Sequence, residues 1–104
     1  MGCCRSWFDL DVNGYWRIIV CYGADLGEAD SGFTYSDKAH RVSIVGIGMQ
    51  TSADEAVDTI IHEAKHVQSH ICEYYKIRED GEDAAYLIGY IVKRMYGKIK
   101  NLIF

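Results

Sequence analysis

The chain has 104 residues, a formal net charge of −4 at pH 7 and 49% hydrophobic residues. That length holds one core and leaves no room for a second, so a single domain over residues 1–104 is expected. The hydrophobic content excludes extended disorder, and the acidic balance leaves no basic footprint for nucleic acid.

Met1-Gly2-Cys3-Cys4-Arg5-Ser6 satisfies the short myristoylation pattern, with thiols available for palmitoylation. A lipid-anchored adaptor would begin this way; the plainer reading is the lead-in to a first strand. Nothing reads as a signal-peptide h-region or a membrane-spanning run, so a membrane role is not expected. Cys3, Cys4, Cys21 and Cys72 form no C-x-x-C pair and lack the regular spacing of a disulfide framework. Reduced thiols and a cytoplasmic setting are expected.

Trp7 to Val12 and Tyr15 to Tyr22 are β-rich runs around Asn13-Gly14, a strong type I′ hairpin signal. Gly23 to Lys38 is rich in Gly, Asp and Ser and reads as a long surface loop. Arg41 to Met49 reads as a third strand, in which Gly46 and Gly48 suggest a bulge or the close approach of another backbone. Ser52 with Glu55 makes a capping box. Val57, Ile60, Ile61, Ala64, Val67, Ile71 and Tyr74 or Tyr75 then recur at helical spacing, so the first helix is expected to run to about Tyr75.

Lys76 to Gly81 is a connector. A second helix is expected from about Glu82 to Tyr96, with an apolar stripe of Ala84, Ala85, Ile88, Ile91, Val92, Met95 and Ile99. Lys93, Arg94, Lys98 and Lys100 suit the negative end of that helix rather than phosphate. Strands followed by helices predict an α+β fold: a small antiparallel sheet of about three strands, then two helices.

The chemistry-bearing segment is His62-Glu63-Ala64-Lys65-His66, an H-E-x-x-H inside the first helix. Histidines four apart on one helix face can clamp a single Zn²⁺, and the glutamate beside the first can act as general base toward a water. The apolar stripe centres roughly 160° from the mean direction of the two histidines, so they face away from the core. Glu63 falls between the two faces.

A catalytic zinc takes a third protein ligand. His70 is eight residues from His62, roughly 12 Å along the axis, too far to share one ion. The second helix offers Glu82 and Asp83. Glu82 shares a side with Ala85 and Gly89, small residues that would let this helix approach the first closely; Asp83 points away from the apolar stripe, toward solvent. Glu82 is the favoured ligand.

H-E-x-x-H followed by an acidic residue on the next helix resembles the gluzincin metallopeptidases. The short chain, the strand-rich first half and the stretch Glu82 to Gly89 are similar to the compact minigluzincin group and to the E-x-x-A-x-x-x-A pattern of ImmA/IrrE-like peptidases, with Gly89 where that pattern has Ala. The resemblance covers about Arg41 to Tyr96 and extends to small predicted peptidases of bacterial and phage genomes.

It implies a zincin-like fold and a zinc-dependent peptidase acting on a peptide or protein substrate, with Zn²⁺ on His62, His66 and Glu82. Glu63 would be the general base, and Tyr86 or His70 would donate to the oxyanion. Larger gluzincins carry a second subdomain that completes the cleft. Here one connector and one helix follow the motif, so specificity must come from the long loop, the sheet edge or another molecule. The competing reading is a non-catalytic, zinc-stabilised interaction or inhibitor module of a phage or mobile element. Glu63 favours the enzyme, because a purely structural site has no need of a base.

Overall fold

A computed structural model describes residues 5–23 and 32–103. In chain order the elements are β1 (Ser6–Val12), β2 (Trp16–Tyr22), β3 (Gly32–Asp37), β4 (Val42–Ile47), α1 (Ala53–Tyr75) and α2 (Glu82–Ile103). The fold is α+β, as expected, but the sheet is larger and mixed. It has four strands in the order β1-β2-β4-β3, with β2 and β4 parallel and the two outer pairs antiparallel.

The hairpin forms where Asn13-Gly14 predicts it. Both residues take positive φ (52° and 77°), as a type I′ turn requires, and the Tyr15 amide donates to the Val12 carbonyl at 3.0 Å. The extra strand is β3, which lies inside the stretch expected to be loop. Its register with β4 sets Gly32, Thr34 and Ser36 opposite Ile47, Val45 and Ser43. The row of β3 that faces the helices is therefore small and polar, without the apolar alternation that marks a strand. The chain passes from β2 to the far edge, runs back along β3 and returns as β4 beside β2, and so β2 and β4 are parallel.

One sheet face and two helix stripes make the core. Leu10, Val12, Ile18, Val20, Val45 and Ile47 meet Ala56, Ile60, Ala64, Val67 and Ile71 of α1, and Ala84, Leu87, Ile91, Met95 and Ile99 of α2. These helical residues recur at three- and four-residue steps, the spacing of one buried stripe. Ser52 caps α1 by accepting from the Glu55 amide, and the helix stops at Lys76, which adopts the left-handed conformation (φ 59°). α2 runs on to Ile103, past the expected end near Tyr96, because buried Ile99 continues its stripe and neither glycine cap nor proline intervenes.

Gly46 has a partner beyond the one its sequence suggests. A Cβ there would lie 2.1 Å from the Phe33 ring, so a β3 aromatic side chain covers the glycine, while its carbonyl oxygen lies 2.9 Å from where a Cβ on Gly32 would sit. Cys72 is a free, buried thiol, whereas Cys21 is disulfide-bonded, so reduced thiols are not the rule throughout the chain. The acylation candidates Gly2, Cys3 and Cys4 lie outside the described residues. Among the described residues no helix is long and apolar enough to cross a membrane.

Candidate active site

α1 presents His62 and His66 on its solvent face, with ring centroids 5.0 Å apart. This follows from the helix period: residues four apart sit one turn above each other on the same side. Glu63 is the hinge between the two faces. It neighbours exposed His62 along the chain yet is only 4% exposed itself.

What covers Glu63 is β3. The Thr34 hydroxyl donates to Glu63 Oε1 at 2.8 Å, with the Glu63 carbonyl oxygen a longer second acceptor at 3.3 Å. At Gly32 an added Cβ would lie 2.9 Å from Glu63 Oε2 and 2.9 Å from the Gly46 carbonyl oxygen. The strand backbone thus runs directly against the carboxylate, and glycine is what permits it.

Two residues along the same strand face, Ser36 bonds His70 Nδ1. Behind it, Trp16 Nε1 donates to Ser43 Oγ at 2.9 Å, and Ser43 Oγ lies 2.7 Å from Ser36 Oγ. Indole can only donate. The arrangement that uses every hydroxyl proton runs Trp16 to Ser43 to Ser36 to His70 Nδ1, which leaves the His70 proton on Nε2. Burial pushes the His70 pKa below its ordinary value. The charge of Lys38 and the His66 imidazole act in the same direction, against Glu73. β3 therefore uses two hydroxyls, two residues apart, to fix two ionisable side chains of α1.

The carboxylates after α1 are placed differently from expectation. Glu82 begins α2 exposed, and Ala85 and Gly89 on its side are exposed as well; a Cβ at Gly89 would meet nothing. The close approach to α1 is made instead by Ala84, which is buried and whose carbonyl accepts from Gln68 Nε2 at 2.9 Å. The small-residue face of α2 is thus not its contact face, which removes the geometric reason for preferring Glu82. Asp83 and Tyr86 line a cavity with Asn13 and Tyr15 of the hairpin turn, so Tyr86 has no place beside Glu63.

The carboxylate that rests on α1 is Glu79 of the connector. It accepts from Ser69 Oγ at 3.1 Å and pairs with Lys65 Nζ at 3.2 Å. Ser69 is three residues from His66, hence on a neighbouring part of the same surface. Sequence periodicity passes over Glu79 because it lies in a turn; its position shows only once Ser69 and Lys65 are known to face it.

Among the described residues no three His, Cys, Asp or Glu side chains already converge. The donor chemistry of the His62–His66 pair would fit Zn²⁺, which takes a third protein ligand in a catalytic site. No family model matches the chain, and neither the curated proteins nor the solved structures contain a significant match.

Proposed function

We propose that this chain is a zinc-dependent peptidase, with His62 and His66 holding the metal and Glu63 as general base. The observation that carries the reading is Glu63: a carboxylate taken out of water, next in the chain to exposed His62, and held by one hydroxyl of an adjacent strand. A solvated helix face that happened to carry histidines would not bury its acid. Zn²⁺ bound there would supply Lewis acidity and lower the pKa of water toward neutrality.

The rest is work for the chain. Glu63 takes the proton of the attacking water and returns it to the leaving nitrogen. Thr34 holds Glu63 in place for both transfers. β3 is the edge strand on this side, so an extended peptide pairing with it would lie next to Glu63. His70, with its proton on Nε2, is the better-placed of the two expected oxyanion donors. The third ligand comes from the segment after α1, where Glu82, at the start of α2, suits the resemblance and Glu79, in the connector, is the residue held on α1.

Metal analysis of the purified chain, beside a peptide-library cleavage assay, tests the proposal. About one Zn²⁺ per chain is expected, lost in His62→Ala and His66→Ala. Glu63→Gln is expected to keep the zinc and the fold while losing about 10²- to 10⁴-fold in rate. The carboxylate whose replacement by alanine weakens zinc more, Glu79 or Glu82, is the third ligand. Near-stoichiometric zinc in the double histidine variant refutes the site. Stoichiometric zinc without cleavage of any peptide favours the interaction module.

A further inference from the structure

A second site lies where the hairpin turn meets the start of α2. Asn13 and Tyr15, Ile77 of the connector, and Asp83, Tyr86, Leu87 and Tyr90 enclose an open cavity of about 520 Å³. None of this lining comes from α1 or β3, so the cavity is separate from the histidines and Glu63.

Its chemistry is specific. Ile77 and Leu87 give an apolar floor, and three tyrosine rings come from two different parts of the chain. Among the described lining residues Asp83 supplies the only carboxylate. Among the described residues no lysine or arginine lines the cavity itself: Arg78, in the neighbouring groove, is paired with Asp80, and Arg94 borders it only through Tyr90. Aromatic faces carry the negative side of the ring quadrupole, so rings around one carboxylate attract an organic cation and disfavour an anion.

Two of the rings are pre-set. Tyr15 packs edge-on against Tyr75 at 5.1 Å, and its carbonyl accepts from the Tyr75 hydroxyl. Tyr90 donates its hydroxyl proton to the Asp11 carbonyl at 2.9 Å. Tyr90 already takes one guanidinium: the Arg94 carbon lies 5.6 Å from the ring centroid, and Arg94 Nη1 donates to the Tyr90 oxygen. Tyr86 stands 74% exposed at the rim, a large side chain with a free face.

We propose that this cavity binds the side chain of an arginine presented by another polypeptide, its guanidinium between the tyrosine rings and Asp83 and its methylenes on Ile77 and Leu87. Arginine suits the site because its planar head stacks on an aromatic face while its N–H fork meets a carboxylate. The inference does not rest on the zinc reading.

The test is an amide chemical-shift titration of the full chain with N-acetyl-arginine amide, and with the citrulline analogue, which has the same shape without the charge. Saturable shifts at Asn13, Asp83 and Tyr86 are expected with the arginine compound. Citrulline is expected to bind at least about fivefold more weakly, and Asp83→Asn to weaken arginine binding by a similar factor. Tyr86→Leu, at an exposed rim position, is the second variant and is expected to weaken it too. Equal binding of citrulline, unchanged binding in both variants, or no saturable shift at these three residues overturns the proposal.

Discussion

Replacing Thr34 by valine isolates the contact that places Glu63. Valine is close to threonine in shape, so no cavity opens and the change removes one hydroxyl. That hydroxyl gives Glu63 Oε1 a 2.8 Å hydrogen bond, and the carboxylate is only 4% exposed. A hydrogen bond to a charged group contributes about 1.5–3 kcal/mol, and stranding a buried acceptor incurs its desolvation cost. The loss in unfolding free energy should fall in that range, which for a domain of this size lowers the melting temperature by roughly 6–20 °C. Urea titration with a common m-value gives the free energy directly. The partner arm of the cycle is Glu63→Met, which removes the charge and keeps most of the volume. In that background Thr34→Val should cost less than about 0.5 kcal/mol, because no carboxylate remains to strand. A loss below about 0.5 kcal/mol in the wild-type background, or strict additivity in the double variant, refutes the claim that Thr34 holds Glu63.

Two further outcomes follow from the same strand. Gly32→Ala puts a methyl 2.9 Å from both Glu63 Oε2 and the Gly46 carbonyl; since the second contact is backbone, β3 must shift, and a loss of about 1–3 kcal/mol is expected in urea, with no change refuting the close approach. His70 titrates below its ordinary value because burial disfavours its charged form. The unfolded chain thus binds more protons than the folded one between the depressed pKa and about pH 6.5, and stability falls as the pH is lowered through that window. His70→Asn should flatten that part of the stability profile; an unchanged slope assigns it to other groups.

The hairpin, the third expected strand and both helices were legible because each carries its own local signal. Asn13-Gly14 can form the I′ turn, Ser52 and Glu55 make a cap, and the apolar residues of α1 and α2 recur at helical spacing. The same periodicity put His62 and His66 on the open face, and the structure has them so; Glu63, expected between faces, is instead buried under β3. β3 was illegible for a reason tied to the site itself. A strand is recognised by the apolar row it turns inward, and the half-buried inward row of β3 is Gly32, Thr34 and Ser36, which meets a carboxylate and an imidazole. The residues that serve α1 are the ones that hide the strand.

The third carboxylate shows where single-helix reasoning stops. Ala85 and Gly89 read as a contact face because small residues permit close approach, but permission is not a driving force. The rotation of α2 is set by what burial of large side chains gains, and Leu87, Ile91, Met95 and Ile99 pull Ala84 inward and turn Glu82, Ala85 and Gly89 toward water. Glu79 has no periodicity to read, since it sits in the connector. Its placement comes from Lys65 and Ser69, which face outward on α1 four residues apart and converge on the one carboxylate the turn brings to them. Losing those two donors should therefore release Glu79 from α1. In Lys65→Ala/Ser69→Ala the zinc affinity should change if Glu79 is a ligand, by less than in Glu79→Ala because the carboxylate itself remains. It should stay unchanged if Glu82 is, because neither donor touches Glu82.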